Sequence, residues 1–215
     1  MKIDVFQDTV CPWCRIGAAN LRQALVDWDH EREPVEINYR TFFLDPSIPA
    51  EGQPFREHML AKGGGRIPLE RFFAGPRQAG AAAGLTFNFE QIEVAPNTML
   101  SHRLVALAPA GKKEAVLDAI YAAYFEEGQD IGDLDVLLDI AAAQGLDREE
   151  TRRALEGDAG TAEVLANVQR ARAAGITGVP FFIINDQYTF SGAQPSHLIA
   201  RLLQQVADAE PAEMA

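Results

Sequence analysis

The two cysteines of this 215-residue chain, Cys11 and Cys14, lie three residues apart in the segment TVCPWCRIG (residues 9–17). A structural disulfide usually joins distant segments, because closing a long loop restricts the unfolded chain more than closing a short one. This pair would close almost no loop. Such close spacing is typical of thiol chemistry or of a metal site.

The residues around the cysteines predict one reactive and one shielded thiol. A strand over Ile3–Phe6 precedes them, and from Pro12 onward apolar residues recur at the spacing of one helix face: Ile16, Leu21, Leu25 and Trp28. A helix start offers unpaired N–H groups and the positive end of the dipole, which stabilise a thiolate at Cys11. Cys14 then falls on the same face, within disulfide reach of Cys11. Cys11 is therefore the predicted exposed nucleophile and Cys14 the predicted resolving thiol, while Arg15 is either a favourable positive charge or a solvated helix residue.

No metal site is predicted. Structural and catalytic zinc sites need three or four ligands, and the cysteine pair has no second pair or histidine at suitable spacing. The stretch DIGDLDVLLD (residues 130–139) lacks the turn glycine and the closing glutamate of a calcium loop. The four histidines are scattered along the chain: His30, His58, His102 and His197.

Composition excludes several classes of partner. The formal net charge of -12 argues against a nucleic-acid surface, which would be basic. No apolar run approaches the roughly 20 residues that a membrane span needs. The segment MKIDVFQDTV lacks the apolar stretch of a signal peptide, so a cytoplasmic location is expected.

The order of the predicted elements indicates an α/β fold with a large insertion. Residues 1–44 have the pattern of strand, helix and strand, and residues 176–215 that of a hairpin followed by a helix. These two segments are predicted to form one thioredoxin-like domain, βαβ–ββα, around a mixed four-stranded sheet. Residues 45–175 show helical patterns almost throughout and are predicted to form an all-helical insertion domain.

Within the insertion, helix ends are predicted from capping residues and breakers. Asp133, Asp147 and Asp158 are each predicted to cap a helix. The pair Gly75–Pro76 is expected to kink or split the helix over residues 69–83.

The chain resembles the thioredoxin-fold DsbA family, and most closely its FrnE-like branch. The resemblance covers essentially the whole chain and rests on DTVCPWCRIG, GITGVPFF, FSGAQP and, in the insertion, YFEEGQDIGDLDVL. It implies a thiol-disulfide oxidoreductase that exchanges disulfides with protein or small-molecule thiols. No bound cofactor is implied, glutathione is a candidate redox partner, and the oligomeric state stays open.

The resemblance also implies how substrate is held. Pro180 matches a residue that is cis and faces the disulfide, and Val179 before it offers backbone groups to an extended peptide. Pro12 and Trp13, between the cysteines, are the other predicted substrate-binding residues. His102, in PNTMLSHRL, is a candidate cleft residue.

One position departs from the family pattern. Redox members of the wider fold often carry a buried acid six residues before the first cysteine, where this chain has Val5. The group that exchanges a proton with Cys14 therefore stays undetermined.

A second function is compatible with the same architecture. Glutathione-dependent enzymes, the 2-hydroxychromene-2-carboxylate isomerases and kappa-class transferases, share the inserted helices and usually carry serine where this chain has Cys11. The segment SGAQP (residues 191–195) could hold a glutathione backbone in such an enzyme. The intact cysteine pair favours the redox function, and also argues against a binding module with a vestigial site.

Overall fold

The computed structural model describes residues 1–31, 33–64 and 68–209. In this part of the chain the strands are β1 (Lys2–Gln7), β2 (Glu36–Thr41), β3 (Gln53–Pro54), β4 (Val94–Ala95), β5 (Phe181–Ile184) and β6 (Tyr188–Ser191). The helices are α1 (Pro12–Ala24), α2 (Phe55–Lys62), α3 (Leu69–Ala82), α4 (Met99–Leu107), α5 (Lys113–Phe125), α6 (Leu134–Ala143), α7 (Arg148–Glu156), α8 (Thr161–Ala173) and α9 (Ser196–Ala209). None of these helices is long and apolar enough to cross a membrane.

A mixed four-stranded sheet with the order β2–β1–β5–β6 confirms the predicted α/β thioredoxin fold. β1 runs parallel to β2, as a strand–helix–strand unit requires, and antiparallel to β5. The turn between β5 and β6 places Asn185 and Asp186 at positive φ (49° and 57°), the conformation of the tightest hairpin turns. The central position of β1 carries its C-terminal end, and the cysteines that follow it, into the middle of the molecule.

Both faces of the sheet are covered by helices. α1 and α9 pack on one face, over a core that includes Ile3, Val5, Phe182 and Leu203. On the other face Phe6 packs against Ala171 of α8, which also contacts β2. α8 thus lies against the sheet, although the boundary at residue 175 assigns it to the insertion.

The division into a domain of residues 1–44 and 176–215 and a domain of residues 45–175 stays a prediction. Residues 65–67 and 210–215 of these ranges lie outside the described residues. In the described residues one apolar cluster joins Cys11, Cys14 and Ile16 to the buried residues of α3, α4, α5 and α6. The cysteines therefore lie at the boundary between the sheet layer and the inserted helices.

The insertion also contains a short antiparallel ladder, which the sequence did not predict. β3 pairs with β4 through Gln53 opposite Ala95 and Pro54 opposite Val94. Two residues per strand are too few to produce a recognisable period-two pattern, so the ladder left no signal in the sequence.

Most predicted helix ends agree with the structure. The carboxylates of Asp133 and Asp147 accept backbone N–H groups at the starts of α6 and α7, which confirms both caps. The predicted cap at Asp158 is wrong, because α8 begins after Gly160, which has φ of 79°. Pro76 lies inside α3, and the helix continues through it from Leu69 to Ala82 without being split.

Candidate active site

The junction between β1 and α1 places Cys11 at the start of a helix. Cys11 is the N-cap residue, Pro12 occupies the first turn, and that turn contains no acidic residue. The backbone N–H of Cys14 donates to the Cys11 sulfur at 3.3 Å. Because Pro12 has no N–H to lose, it fits the first turn without breaking a helical hydrogen bond. Cys11 Sγ thus has a backbone N–H donor beside it and lies at the positive end of the α1 dipole.

Both cysteines are buried, so the expected exposure of Cys11 is wrong. Cys11 is 3% exposed and Cys14 1%, because the inserted helices pack over the start of α1. The two residues still differ in access. Cys11 lines a cavity between α1 and the insertion, whereas Cys14 is not among the residues that line it. A molecule in this cavity reaches Cys11 first.

The environment of Cys14 keeps its thiol protonated. Burial raises the pKa of Cys14 well above that of a free thiol, and a hydrogen bond to Cys11 and the charges of Cys11 and Asp8 raise it further. A backbone hydrogen bond from Asp8 acts in the opposite direction and does not offset them. The two cysteines therefore differ: Cys11 lines the cavity, whereas Cys14 does not line it and has a raised pKa.

This raised pKa predicts that the reduced protein loses stability at alkaline pH. In the unfolded chain Cys14 ionises above about pH 8.5, whereas in the folded protein it stays protonated. The unfolded state then binds fewer protons, so the free energy of unfolding falls by about 1.4 kcal/mol per pH unit until the folded pKa is reached. Urea unfolding of the reduced parent and of Cys14→Ser, at neutral pH and at about pH 9.5, measures the difference. Between these two pH values the free energy of unfolding should fall less in Cys14→Ser than in the parent. An equal fall in both proteins would contradict the prediction.

The loop before β5 faces Cys11. The Val179–Pro180 peptide bond is cis, and the Cys11 thiol donates to the Val179 carbonyl oxygen at 3.7 Å. Gly17 of α1 makes this approach possible, since a Cβ there would lie 2.9 Å from the Pro180 ring. Val179 lines the cavity beside Cys11, whereas Pro180 is buried, with its ring against Gly17 of α1.

The two residues between the cysteines also lie at the cavity. Pro12 and Trp13 line it, and the Trp13 side chain is 39% exposed. Gly75 of α3 faces the indole ring, because a Cβ built there would lie 3.5 Å from it. Four of the predicted site residues, Cys11, Pro12, Trp13 and Val179, thus share one cavity.

His102 does not line the cavity, so its assignment as a cleft residue is wrong. It is 1% exposed, and its Nε2 is 3.2 Å from Asp8 Oδ1. The other oxygen of Asp8 accepts the backbone N–H of Leu44 at 2.7 Å. Val5, at the family's acid position, packs in the apolar core with α1 and α9. The buried carboxylate of this site is Asp8, three residues before Cys11.

Further buried polar groups surround this pair. The Tyr121 hydroxyl of α5 donates to Gln7 Oε1 at 2.9 Å, and Thr9 and Ser101 share a hydrogen bond of 2.8 Å. Burial raises the pKa of Tyr121 well above its usual value, and the charges of Cys14, Cys11 and Asp8 add to this effect. These buried polar groups were not predicted from the sequence. Their one local signal is QDT (residues 7–9), three polar residues between a buried strand and the first cysteine.

Arg15 is not a solvated helix residue. It is 7% exposed, donates to the Thr86 carbonyl at 2.9 Å and pairs with Glu126. Its guanidinium also lies over the Phe87 ring. Arg15 therefore links the first turn of α1 to the insertion, and its positive charge is paired with the carboxylate of Glu126.

Across residues 1–31, 33–64 and 68–209, no three histidine, cysteine or acidic side chains come together as metal ligands. Cys11 and Cys14 are both free thiols in this structure. The pair is therefore a dithiol, the form that can give up two electrons and two protons to become a disulfide.

The chain is similar to several known proteins. The crystal structure of probable DsbA oxidoreductase SCO1869 from Streptomyces coelicolor is 34% identical, with a TM-score of 0.88 over 100% of this chain and 94% of that chain. The Bacillus subtilis (strain 168) protein YwbO is 28% identical, covering 86% of this chain and 88% of its own length. The cytosolic disulfide reductase DsbM from Pseudomonas aeruginosa, solved with GSH, is 19% identical with a TM-score of 0.69, over 96% of this chain and 100% of that chain. The family model for the DSBA-like thioredoxin domain matches residues 2–204, and the chain belongs to this family.

Proposed function

We propose that the protein is a thiol-disulfide oxidoreductase in which Cys11 attacks and Cys14 resolves. The observation that carries this proposal is the difference between the two sulfurs. Cys11 lies at a helix start and lines a cavity, whereas Cys14 is buried behind it with a raised pKa. A nucleophile must be deprotonated and accessible, and the resolving thiol must stay unreactive until a mixed disulfide has formed.

The proposed cycle follows from thiol–disulfide exchange. The Cys11 thiolate attacks one sulfur of a substrate disulfide, the S–S bond breaks, and the leaving thiolate takes up a proton from solvent. Cys14 then attacks the Cys11 sulfur, giving up its proton, and the second substrate thiol leaves. The substrate gains two electrons and the cysteine pair becomes a disulfide. In the opposite direction the same steps transfer the disulfide to a substrate dithiol.

Substrate is proposed to bind beside Cys11, between Trp13 and Val179. The Val179 carbonyl oxygen lies next to the Cys11 sulfur, so an extended peptide paired with this loop would place its own sulfur near Cys11. Pro180 shapes the loop, and Pro12 and Trp13 offer an apolar surface. These contacts involve mainly backbone and apolar groups, which accommodate substrates of many sequences.

Glutathione is the proposed low-molecular-weight redox partner, and the cytoplasm the proposed location. The DsbM structure with GSH supports both, since that protein is named a cytosolic disulfide reductase. A glutathione-dependent isomerase needs a group that activates the bound thiol but no second cysteine. The hydrogen bond between Cys14 and Cys11 therefore favours the oxidoreductase.

The test is the equilibrium of the protein with glutathione. The reduced protein is incubated in buffers of different ratios of reduced to oxidised glutathione, the free thiols are alkylated, and the products are weighed by mass spectrometry. We expect an intrachain Cys11–Cys14 disulfide that forms and disappears reversibly with the ratio. A protein that keeps both thiols free at every ratio would contradict the proposed function.

A further inference from the structure

The cavity beside Cys11 is closed enough to hold a small molecule. Its volume is about 420 Å³, within the range of sites that bind small ligands. The start of α1 forms one side, α2 and α3 form the opposite side, and residues after β4 close it.

Aromatic side chains form much of the cavity wall. Phe73 and Phe89 stack with their ring centroids 4.3 Å apart, and Phe72 meets Phe73 edge to face. Trp13 and Tyr124 complete this part of the wall. Flat apolar rings fit such a surface better than a flexible polar chain does, because they bury apolar area and make favourable ring contacts.

Among the described residues, the charged side chains that line the cavity are positive, although the formal net charge of the protein is -12. Lys62 and Arg71 line the cavity, and no carboxylate is among the lining residues that the structure describes. Within that part of the chain neither cation forms an ion pair, although Lys62 acts at longer range on Asp45. His58 also lines the cavity, but burial and the charge of Lys62 lower its pKa, so it adds no charge at neutral pH. Two unpaired cations beside an apolar cavity attract an anion.

We propose that this cavity selects low-molecular-weight disulfides, or the corresponding thiols, that combine an aromatic ring with a carboxylate. The proposal rests on the proposed function and specifies its substrate class. The ring lies against Trp13 and the phenylalanines, the carboxylate faces Lys62 and Arg71, and one sulfur lies at Cys11. The Cys11 thiolate attacks that sulfur, the S–S bond breaks with release of one aryl thiolate, and Cys14 then releases the second. The disulfide gains two electrons, the cysteine pair loses them, and an added dithiol such as dithiothreitol restores the protein.

The test compares three disulfides with the reduced protein by stopped flow. Dithiobis(nitrobenzoate) is aromatic and anionic, dithiodipyridine is aromatic and neutral, and hydroxyethyl disulfide is aliphatic and neutral. Each rate is divided by the rate of the same disulfide with mercaptoethanol, a neutral thiol, so that differences in intrinsic reactivity cancel. In the parent we expect the normalised rates to decrease in the order given.

The variant Lys62→Gln/Arg71→Gln tests the charge. The ratio of the normalised rates for dithiobis(nitrobenzoate) and dithiodipyridine should fall about tenfold, the lower end of what a cleft of one sign contributes. The matched control is Arg172→Gln/Arg201→Gln, which changes the net charge equally at two exposed positions outside the cavity. This control should keep the parent ratio.

The outcomes separate this proposal from the function on which it rests. An unchanged ratio in the cavity variant, or an equal fall of the ratio in the control, would overturn the proposed selectivity. If Cys11 still reacted with hydroxyethyl disulfide in that case, the oxidoreductase function would stand. Failure of the parent to react with any of the three would overturn both.

A binding measurement gives a second readout that needs no reaction. In Cys11→Ser/Trp28→Phe, Trp13 is the remaining tryptophan, and its fluorescence should be quenched by naphthoate at lower concentration than by naphthalene methanol. Adding Lys62→Gln/Arg71→Gln should remove this preference. Equal quenching by the two probes before that change would count against the proposed carboxylate site.

Discussion

Replacing Cys14 with serine should turn the protein into a trap for its substrate. Cys11 keeps its place at the helix start, so it still attacks a disulfide, but the serine hydroxyl cannot resolve the product. Incubation with oxidised glutathione should therefore leave one glutathione on each chain, released by added reductant. Mass spectrometry of the intact protein detects this adduct. Turnover of a peptide disulfide should fall to the rate of the uncatalysed exchange.

Cys11→Ser is the matched control, because it removes the other sulfur of the same pair. The remaining thiol of Cys14 does not line the cavity and stays protonated in its buried position. This variant should therefore neither turn over nor carry an adduct after the same incubation. Steady turnover by Cys14→Ser at the parent rate would refute the two-cysteine mechanism. It would favour instead the single-residue chemistry of the glutathione-dependent isomerases.

The parts of the fold that depend on local patterns could be predicted from the sequence. The strand β1, the apolar face of α1 and the hairpin of β5 and β6 each leave a pattern among residues that are near in sequence. The caps at Asp133 and Asp147 are local in the same way. The cap at Asp158 failed because Gly160, with its positive φ, allows the chain to enter α8 two residues later.

The site could be predicted where its residues are local, or where the family resemblance supplied them, as it did for Val179. Cys11, Pro12 and Trp13 are consecutive, and the structure places all three at the cavity. The burial of Cys11 could not be predicted, since it arises from helices of the insertion that pack over α1. The cations of the cavity were missed for the same reason: nothing in the sequence brings Lys62 or Arg71 close to the cysteines.

The pairing of Asp8 with His102 was the part of the site that the sequence predicted least. The two residues are separated by 94 positions, and no local pattern brings their two segments together. The family pattern has a buried acid at the position where this chain has Val5. Within β1 side chains alternate between the two faces, so Val5 points into the core with α1 and α9.

Removing this pair should produce the largest loss of stability among changes near the site. Asp8 is 1% exposed and has two partners, His102 and the backbone N–H of Leu44. In Asp8→Ala the buried His102 ring and the part-buried N–H of Leu44 both lose this partner. Each buried polar group that loses its hydrogen-bond partner costs about 1–3 kcal/mol, because it keeps its desolvation cost without compensation. Urea unfolding of the reduced protein, with linear extrapolation to water, measures this difference.

Asp139→Ala is the matched control, since it removes an aspartate from a surface ion pair. Asp139 contacts Arg148 but its side chain is 76% exposed, and such pairs contribute at most about 1 kcal/mol. Asp8→Asn gives an intermediate case: its amide oxygen can still accept the Leu44 N–H, while the charge beside His102 is lost. We therefore expect the losses to increase from Asp139→Ala to Asp8→Asn to Asp8→Ala. A loss in Asp8→Ala no greater than in Asp139→Ala would show that the buried pair does not hold the site together, because the cost of burial without a partner would then be absent.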